Sequence, residues 1–241
     1  MKILRMVIRN QIVSLIYRLA LLALGIAALC VAGISDSVLS PLNTFRNFGS
    51  VITLISSILV LIEIIANAIS LAKNGVHRLA AGVYPPVTFV LLSLEIGFLF
   101  SHPLSSFLSN SSYFSSNNDI TYALLLSILF PIAYFLDWLL FGEKGTVKMV
   151  HLIEVAMIPL LYYLISLFNH LIRGETFTYA TAIFEPKNFL ANSNVPLLFS
   201  ENDGWNGVAI SCFSVLAIYL ASASLLLLLS NALAGKIFKN N

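Results

Sequence analysis

Long apolar segments separated by shorter polar stretches dominate the chain. Six of them are about 20 residues long, and apolar and polar positions do not alternate within them. Their ranges are 11–33, 48–72, 79–100, 120–141, 150–172 and 206–234. Because backbone groups in hydrocarbon must hydrogen-bond within the protein, runs of this length and pattern predict membrane-spanning helices rather than barrel strands. The predicted fold is all-α, a six-transmembrane-helix bundle in which residues 1–241 form a single transmembrane domain.

The composition agrees with a membrane environment. Hydrophobic residues make up 59% and charged residues 10% of the 241, and the mean hydropathy is +0.92, whereas a soluble domain carries about 25% charged residues. The net charge of +2 is spread over several loops, so the sequence indicates no nucleic-acid surface. Cys30 and Cys212 lie in apolar runs without metal-ligand spacing, so we expect neither a metal nor a cofactor.

The basic residues between the segments predict how the bundle is oriented. Nine Lys and Arg residues fall on one side of the predicted membrane and three on the other. The nine are Lys2, Arg5, Arg9, Lys73, Arg78, Lys144, Lys148, Lys236 and Lys239. The three are Arg46, Arg173 and Lys187. Because basic residues collect on the cytoplasmic side, both termini are expected to face the cytoplasm and the longer loops to face outward.

Six ionisable side chains interrupt the apolar segments. They are Arg18, Glu63, Glu95, Asp137, His151 and Glu154. Such groups are costly in hydrocarbon and usually face a partner or a cavity. A helical rise of about 1.5 Å per residue puts Arg18 and Glu63 at similar depths, roughly 12–13 Å from the cytoplasmic edge, so we predict an ion pair between them. Asn67 lies one turn from Glu63 and is expected to join that pair.

Three of these groups are predicted to lie near the cytoplasmic ends of the fourth and fifth helices. The connection between those helices is short, so they should be antiparallel neighbours. Asp137 is then expected to contact His151 or polar groups of the turn, and Glu154 lies one turn after His151. Trp138 falls at the membrane interface, where tryptophan anchors helices. We therefore interpret Asp137-Trp138 as a structural anchor.

The polar positions inside the segments allow two interpretations. In the first they lock neighbouring helices together, because polar contacts between helices replace contacts with water. In the second they form the path of a small proton-coupled transporter that uses Glu63, Glu95 and Asp137. Glu95 is predicted to lie about 8 Å from the outer edge, away from the other two. No internal repeat of the kind found in many transporters is visible.

Several positions, mostly in the second half of the chain, match the pattern of a known family. They are Pro131, Asp137-Trp138, Pro159 with Tyr162-Tyr163, Arg173-Gly174 and Phe184-Glu185-Pro186. This pattern resembles the Pr-six-Pr family of bacterial six-helix membrane proteins, which is related to the androgen-induced membrane proteins of animals. The resemblance covers most of the chain and is strongest over residues 128–190. It implies a multi-pass protein of a bacterial plasma membrane whose partners are membrane lipids.

The resemblance also implies a candidate nucleophile. The animal relatives are integral-membrane hydrolases of fatty-acid esters of hydroxy fatty acids, and they use a threonine at the start of the second span. Carried over to this chain, that threonine is Thr44. An alternative register places Asn47 there, with Ser50 matching the serine of the bacterial family. Either register places the site at the outer leaflet, where a lipid ester can enter sideways.

The general base of that reaction is missing from its expected place. A threonine hydroxyl is a poor nucleophile until a nearby base takes its proton. The histidine of the animal relatives would fall at Leu126 or Ser127 in this chain. His102 and His170 are predicted on the outer side and are the candidate substitutes. A lipid-ester hydrolase with a degenerate site and a non-catalytic protein that binds a lipid or another hydrophobic ligand are therefore both expected functions, beside the transporter.

Overall fold

The computed structural model of the chain describes residues 10–34, 48–74, 85–101, 124–173 and 204–235. Six helices lie in these ranges, and every regular element among the described residues is helical. They are α1 (Gln11–Ile34), α2 (Phe48–Asn74), α3 (Pro85–Ser101), α4 (Phe130–Phe141), α5 (His151–Arg173) and α6 (Gly204–Leu233). Each corresponds to one predicted apolar segment, so the all-helical prediction is confirmed. Residues 79–84 and 120–123, predicted to begin the third and fourth helices, lie outside the described residues.

The third helix is the centre of the bundle. It packs against α2, α4, α5 and α6, while α1 packs against α2 and α4. Every residue from Thr88 to Glu95 is buried. This stretch carries the polar residues Thr88, Ser93 and Glu95, which are costly when they face lipid. This explains why α3 occupies the centre although it is the third element in sequence.

The fourth helix begins with a wider turn. Residues Leu125–Leu129 form a π-helical segment, and the backbone N–H of Phe130 donates to the carbonyl of Leu125. Pro131 follows directly; it has no N–H, and its ring conflicts with the carbonyl four residues earlier, that of Ser127. A π-turn relieves that conflict by spreading the backbone. The sequence analysis did not predict this segment.

Large apolar side chains cover the outside of the bundle. On α2 they are Ile55, Ile58, Ile62, Ile65 and Ile69, and on α5 they are Ile153, Met157, Leu161, Leu164, Ile165 and Phe168. The interior, in contrast, holds charged side chains: Arg18, Glu63, Glu95 and Asp137 are each at most 2% exposed. In water-soluble proteins such residues are almost never fully buried unless they are paired. An apolar exterior around a polar interior indicates a membrane protein.

Three helices are long and apolar enough to cross a membrane. The apolar stretches are Gln11–Val31 in α1, Phe48–Lys73 in α2 and Val215–Leu233 in α6. About 20 apolar residues are needed to cross the hydrocarbon core. The apolar stretches of the other three helices, Pro85–Phe100, Leu125–Phe141 and His151–Ile165, are shorter within the described residues.

Candidate functional site

A buried arginine joins three helices. Arg18 of α1 is 1% exposed; its Nη2 lies 3.3 Å from Oε2 of Glu63 on α2, and its Nε lies 3.1 Å from Oδ1 of Asp137 on α4. The predicted ion pair between Arg18 and Glu63 is therefore present. We call Arg18, Glu63 and Asp137 the charge cluster. The single guanidinium faces both carboxyl groups, so each of them has a cation beside it, which buried charges require.

The expected contact of Asp137 with His151 was wrong. Its carboxylate contacts Arg18, and His151 instead places Nδ1 3.1 Å from Oε2 of Glu154, in the first turn of α5. Glu154 is 54% exposed, so this pair lies apart from the charge cluster. The physical reason is helix placement: α1 packs against both α2 and α4, and the long arginine side chain reaches across to both acids. Glu154 lies in the first turn of α5, where its negative charge interacts favourably with the positive end of the helix dipole.

Uncharged polar side chains surround the charge cluster. Thr88 of α3 donates weakly to Oε1 of Glu63, at 3.5 Å. Asn67 does not bind the ion pair as expected; its Nδ2 donates to the backbone carbonyl of Gln11 at 3.2 Å. Gln11 in turn donates to Ser70 at 3.1 Å. These bonds extend the polar contact between α1 and α2 toward the start of α1.

A narrow cleft leads to the charge cluster. It is lined by Arg18, Glu63, Pro85, Thr88, Asp137, Trp138, Gly142 and Glu143, and it holds about one water molecule. Glu143 is exposed, so the cleft opens at the end of the bundle where α4 ends. Nη1 of Arg18 is buried and has no hydrogen-bond partner among the described residues. The guanidinium can therefore bind water that enters the cleft.

Polar residues continue along one face of α2. We call Ser50, Thr53, Ser57, Glu63 and Asn67 the polar stripe; all five are at most 5% exposed. Their spacing of mostly three or four residues places them on one helix face. The stripe spans 17 residues, about 25 Å of helix. The gap between Ser57 and Glu63 is filled by an apolar residue on the same face, Val60.

A second buried acid lies beside this stripe. Glu95 of α3 is 0% exposed. Thr53 donates to its Oε1 at 3.3 Å, and Ser56 lies next to the same carboxyl. None of the basic side chains that the structure describes forms an ion pair with Glu95. Because a carboxylate without a cation is costly in an apolar interior, the hydroxyl groups supply the polar contacts that burial requires.

The turn after α4 has a basic cap. Nζ of Lys144 donates to the carbonyl of Trp138 and, at 2.7 Å, to that of Gly142. The same ammonium lies 4.2 Å from the centroid of the Trp138 ring. A cation at this position satisfies helix-end carbonyls and opposes the dipole. Burial lowers the pKa of Lys144 to about 8, although the negative charge of Asp137 opposes part of that change.

We expect the lowered pKa of Lys144 to make stability depend on pH. Between pH 8 and 10.5 the unfolded chain, in which the pKa of lysine is 10.5, binds more protons than the folded protein. The free energy of unfolding therefore rises with pH across this window and is lowest below it. The midpoint of thermal unfolding, measured in detergent over the window, should rise in the wild type. The rise should be weaker in Lys144→Gln. It should be retained in Lys148→Gln, the control, because Lys148 is an exposed neighbour. If the unfolding midpoint rose equally with pH in all three proteins, Lys144 would not be the group responsible.

The candidate catalytic residues are mostly outside the described part. Thr44, Asn47 and His102 lie outside it, as does the side chain of His170, whose backbone belongs to α5. Leu126 and Ser127, the positions at which the resemblance implies a histidine, are described: Leu126 is 0% and Ser127 is 5% exposed.

The leucine at that position packs on the start of α2. A Cβ added at Gly49 would lie 3.0 Å from Cδ2 of Leu126 and 2.4 Å from Cζ of Phe98. Phe48 beside it packs on Tyr162, with ring centroids 4.8 Å apart. The structure therefore brings Leu126 of the π-helical segment to the first turn of α2 and surrounds that turn with apolar and aromatic side chains.

No protein-family model, curated protein or solved structure matches the chain.

The sequence did not predict Thr53, Thr88 and Lys144 as partners of the buried acids. Isolated hydroxyl groups in apolar helices carry no sequence signal that tells which of them face an acid.

Proposed function

We propose that the chain is a multi-pass protein of a bacterial plasma membrane, with six spans and both termini in the cytoplasm. Two observations support this topology. The six helices coincide with the six apolar segments, and the basic residues collect on one side of them. In this orientation the cleft beside Asp137 opens to the cytoplasm, and the polar stripe runs from there toward the outer face at Ser50.

We infer that this polar interior carries protons, as in a small proton-coupled transporter. The observation behind this proposal is the polar stripe, which runs past two buried acidic centres and is interrupted between them at Val60. The centres are the charge cluster near the cytoplasm and Glu95 nearer the outer face. Intramembrane acids mark proton relays when they lie at successive depths and face the protein interior. Glu95 supplies a carboxyl that takes up and releases a proton, and Thr53 holds it in place at 3.3 Å.

The two acidic centres have different tasks in this proposal. In the charge cluster, Arg18 compensates one of the two carboxylate charges of Glu63 and Asp137 beside the cleft. Glu95 has no cationic partner among the described residues, and burial favours its neutral, protonated form. A proton that reaches Glu95 therefore neutralises a group that is costly when charged. The charge cluster and Glu95 thus provide two successive positions for a proton between the cytoplasm and the outer half of the bundle.

Proton flux into vesicles tests the proposal. Purified protein is reconstituted into lipid vesicles that contain a pH-sensitive dye, and a potassium diffusion potential drives protons inward. We expect wild-type vesicles to acidify faster than protein-free vesicles, and Glu95→Gln to lower the rate at least about tenfold, a barrier change of about 1.4 kcal/mol. Glutamine keeps the size of the side chain and an acceptor for Thr53 but cannot exchange a proton.

Glu154→Gln is the matched control, because Glu154 is an exposed acid outside the polar stripe. Its flux should equal that of the wild type. Folded wild-type protein that acidifies vesicles no faster than lipid alone would contradict the proposal. So would a Glu95→Gln variant with undiminished flux.

A second function follows from the resemblance to the Pr-six-Pr family. We propose it as the alternative: a lipid-related site at the outer leaflet, with Thr44 as the degenerate nucleophile. The contact of Leu126 with Gly49 supports the location of such a site, because the position at which the resemblance implies a histidine lies beside the helix that follows Thr44 in sequence. Leucine cannot act as a base, so binding of a lipid or hydrophobic ligand fits this site better than hydrolysis. Fluorophosphonate labelling that disappears in Thr44→Ala would favour the hydrolase.

A further inference from the structure

Tyr134 is a buried tyrosine close in sequence to Asp137 of the charge cluster. It lies on α4, three residues before Asp137 and therefore about one turn away on the same face. The residue is 0% exposed. Its ring stacks on that of Phe130, with centroids 6.0 Å apart and planes inclined by 12°. The ring is thus held in one orientation by its neighbours, and the hydroxyl has a fixed place in the bundle.

Tyr134 lies within electrostatic range of both acidic centres. Glu63 and Asp137 of the charge cluster act on it electrostatically, and so do Glu95 and Arg18. In the proposed topology Asp137 lies toward the cytoplasm from Tyr134, and Glu95 toward the outer face.

The hydrogen-bonding capacity of Tyr134 is unused within the part of the chain that the structure describes. The Tyr134 hydroxyl has no hydrogen-bond partner among the described residues, and the same is true of Nη1 of Arg18 and Oγ of Ser57. Leaving such a group without a partner costs about 1–3 kcal/mol. Purely structural packing would favour phenylalanine, which fills the same space without that cost. A hydroxyl at this position therefore indicates a role that phenylalanine cannot perform.

We propose that Tyr134 relays protons between the charge cluster and Glu95. The relay rests on the proposed proton-coupled function. A phenolic hydroxyl both donates and accepts a hydrogen bond. As its oxygen gains a proton from a water or acid on the cytoplasmic side, its own O–H bond breaks and that proton passes toward Glu95. The tyrosine ends each transfer neutral, so no net charge stays on it, and rotation of the hydroxyl resets it.

The test is the vesicle assay with Tyr134→Phe, which removes one oxygen atom and keeps the ring. We expect the flux to fall about tenfold, equivalent to about 1.4 kcal/mol in the barrier. Thermal stability should stay equal or rise, since a buried hydroxyl without a partner is lost. A merely structural role for the hydroxyl would change stability and leave the flux per folded molecule constant. Tyr219→Phe is the matched control, because Tyr219 is equally buried on α6, and its flux should not change.

Tyr134→His provides a second variant, in case the phenylalanine variant does not fold. Its imidazole also exchanges protons, so it should conduct faster than Tyr134→Leu, a variant without an exchangeable proton. Wild-type flux that depends on Glu95 but is unchanged in Tyr134→Phe would overturn the relay and leave the proposed function standing. Absence of flux in the wild type would overturn both. Equal flux in the histidine and leucine variants would also overturn the relay.

Discussion

Replacing Arg18 with methionine is expected to lower the free energy of unfolding by about 3–5 kcal/mol, the usual cost of removing one partner from a buried ion pair. Methionine fills much of the same space, so the loss reflects charge rather than a cavity. Glu63 and Asp137, each at most 2% exposed, would remain without their cation in an apolar interior. We expect little folded protein in the membrane fraction and a much lower midpoint of thermal unfolding in detergent.

A triple variant separates charge from packing. Arg18→Met combined with Glu63→Gln and Asp137→Asn carries no buried charge in the cluster, so much of the lost stability should return. Removing one partner leaves an uncompensated buried charge, which is the main cost of breaking a buried ion pair, and the triple variant leaves no such charge. Lys148→Met, at an exposed basic position, should change stability by less than about 0.5 kcal/mol. An Arg18→Met protein as stable as the wild type would show that the cluster does not hold α1, α2 and α4 together.

Replacing Gly97 with alanine is expected to destabilise the contact between α3 and α6 by about 1–3 kcal/mol, the range for overpacking a filled interior. The added Cβ would lie 2.2 Å from Cδ1 and 2.6 Å from Cε1 of the Tyr219 ring. That ring is 0% exposed and packs edge-on against Phe48, with centroids 6.0 Å apart. It has no free direction in which to move. The measurement is the midpoint of thermal unfolding of the purified variant.

A double-mutant cycle isolates this clash. Tyr219→Leu removes the ring, so adding Gly97→Ala to that variant should cost far less than adding it to the wild type. Ala217→Val also enlarges a residue, but at an exposed position of α6, and should leave the midpoint nearly unchanged. Equal costs of Gly97→Ala with and without the ring would contradict close packing of Gly97 on Tyr219.

The number and bounds of the helices could be predicted well. The predicted segment 48–72 corresponds to Phe48–Asn74, and 150–172 corresponds to His151–Arg173. The reason is that the length of an apolar run is itself the constraint that hydrocarbon places on a helix. The depth of a residue in the membrane follows from its position along the helix and the rise per residue. This is why the ion pair between Arg18 and Glu63 could be predicted.

The partners of the remaining acids could not be predicted. Asp137 was expected at His151 because their helices are joined by a short turn, yet α1 lies beside α4 and brings Arg18 instead. To predict the contact of Thr53 with Glu95, one must know that α2 and α3 are neighbours and how each helix is rotated about its axis. In apolar segments the exterior is as hydrophobic as the interior, so the amphipathic pattern that reveals this rotation in soluble proteins is weak.

The sequence by itself determined an all-helical membrane protein with six apolar segments, a set of ionisable groups inside them, and the depth of each group. These properties depend only on composition and on distance along the chain. The tertiary structure decided which groups meet: Arg18 between two acids, Glu95 among hydroxyls, and Tyr134 within electrostatic range of both acidic centres. Those contacts depend on helix order and rotation, which arise from the packing of side chains distant in sequence around the buried α3.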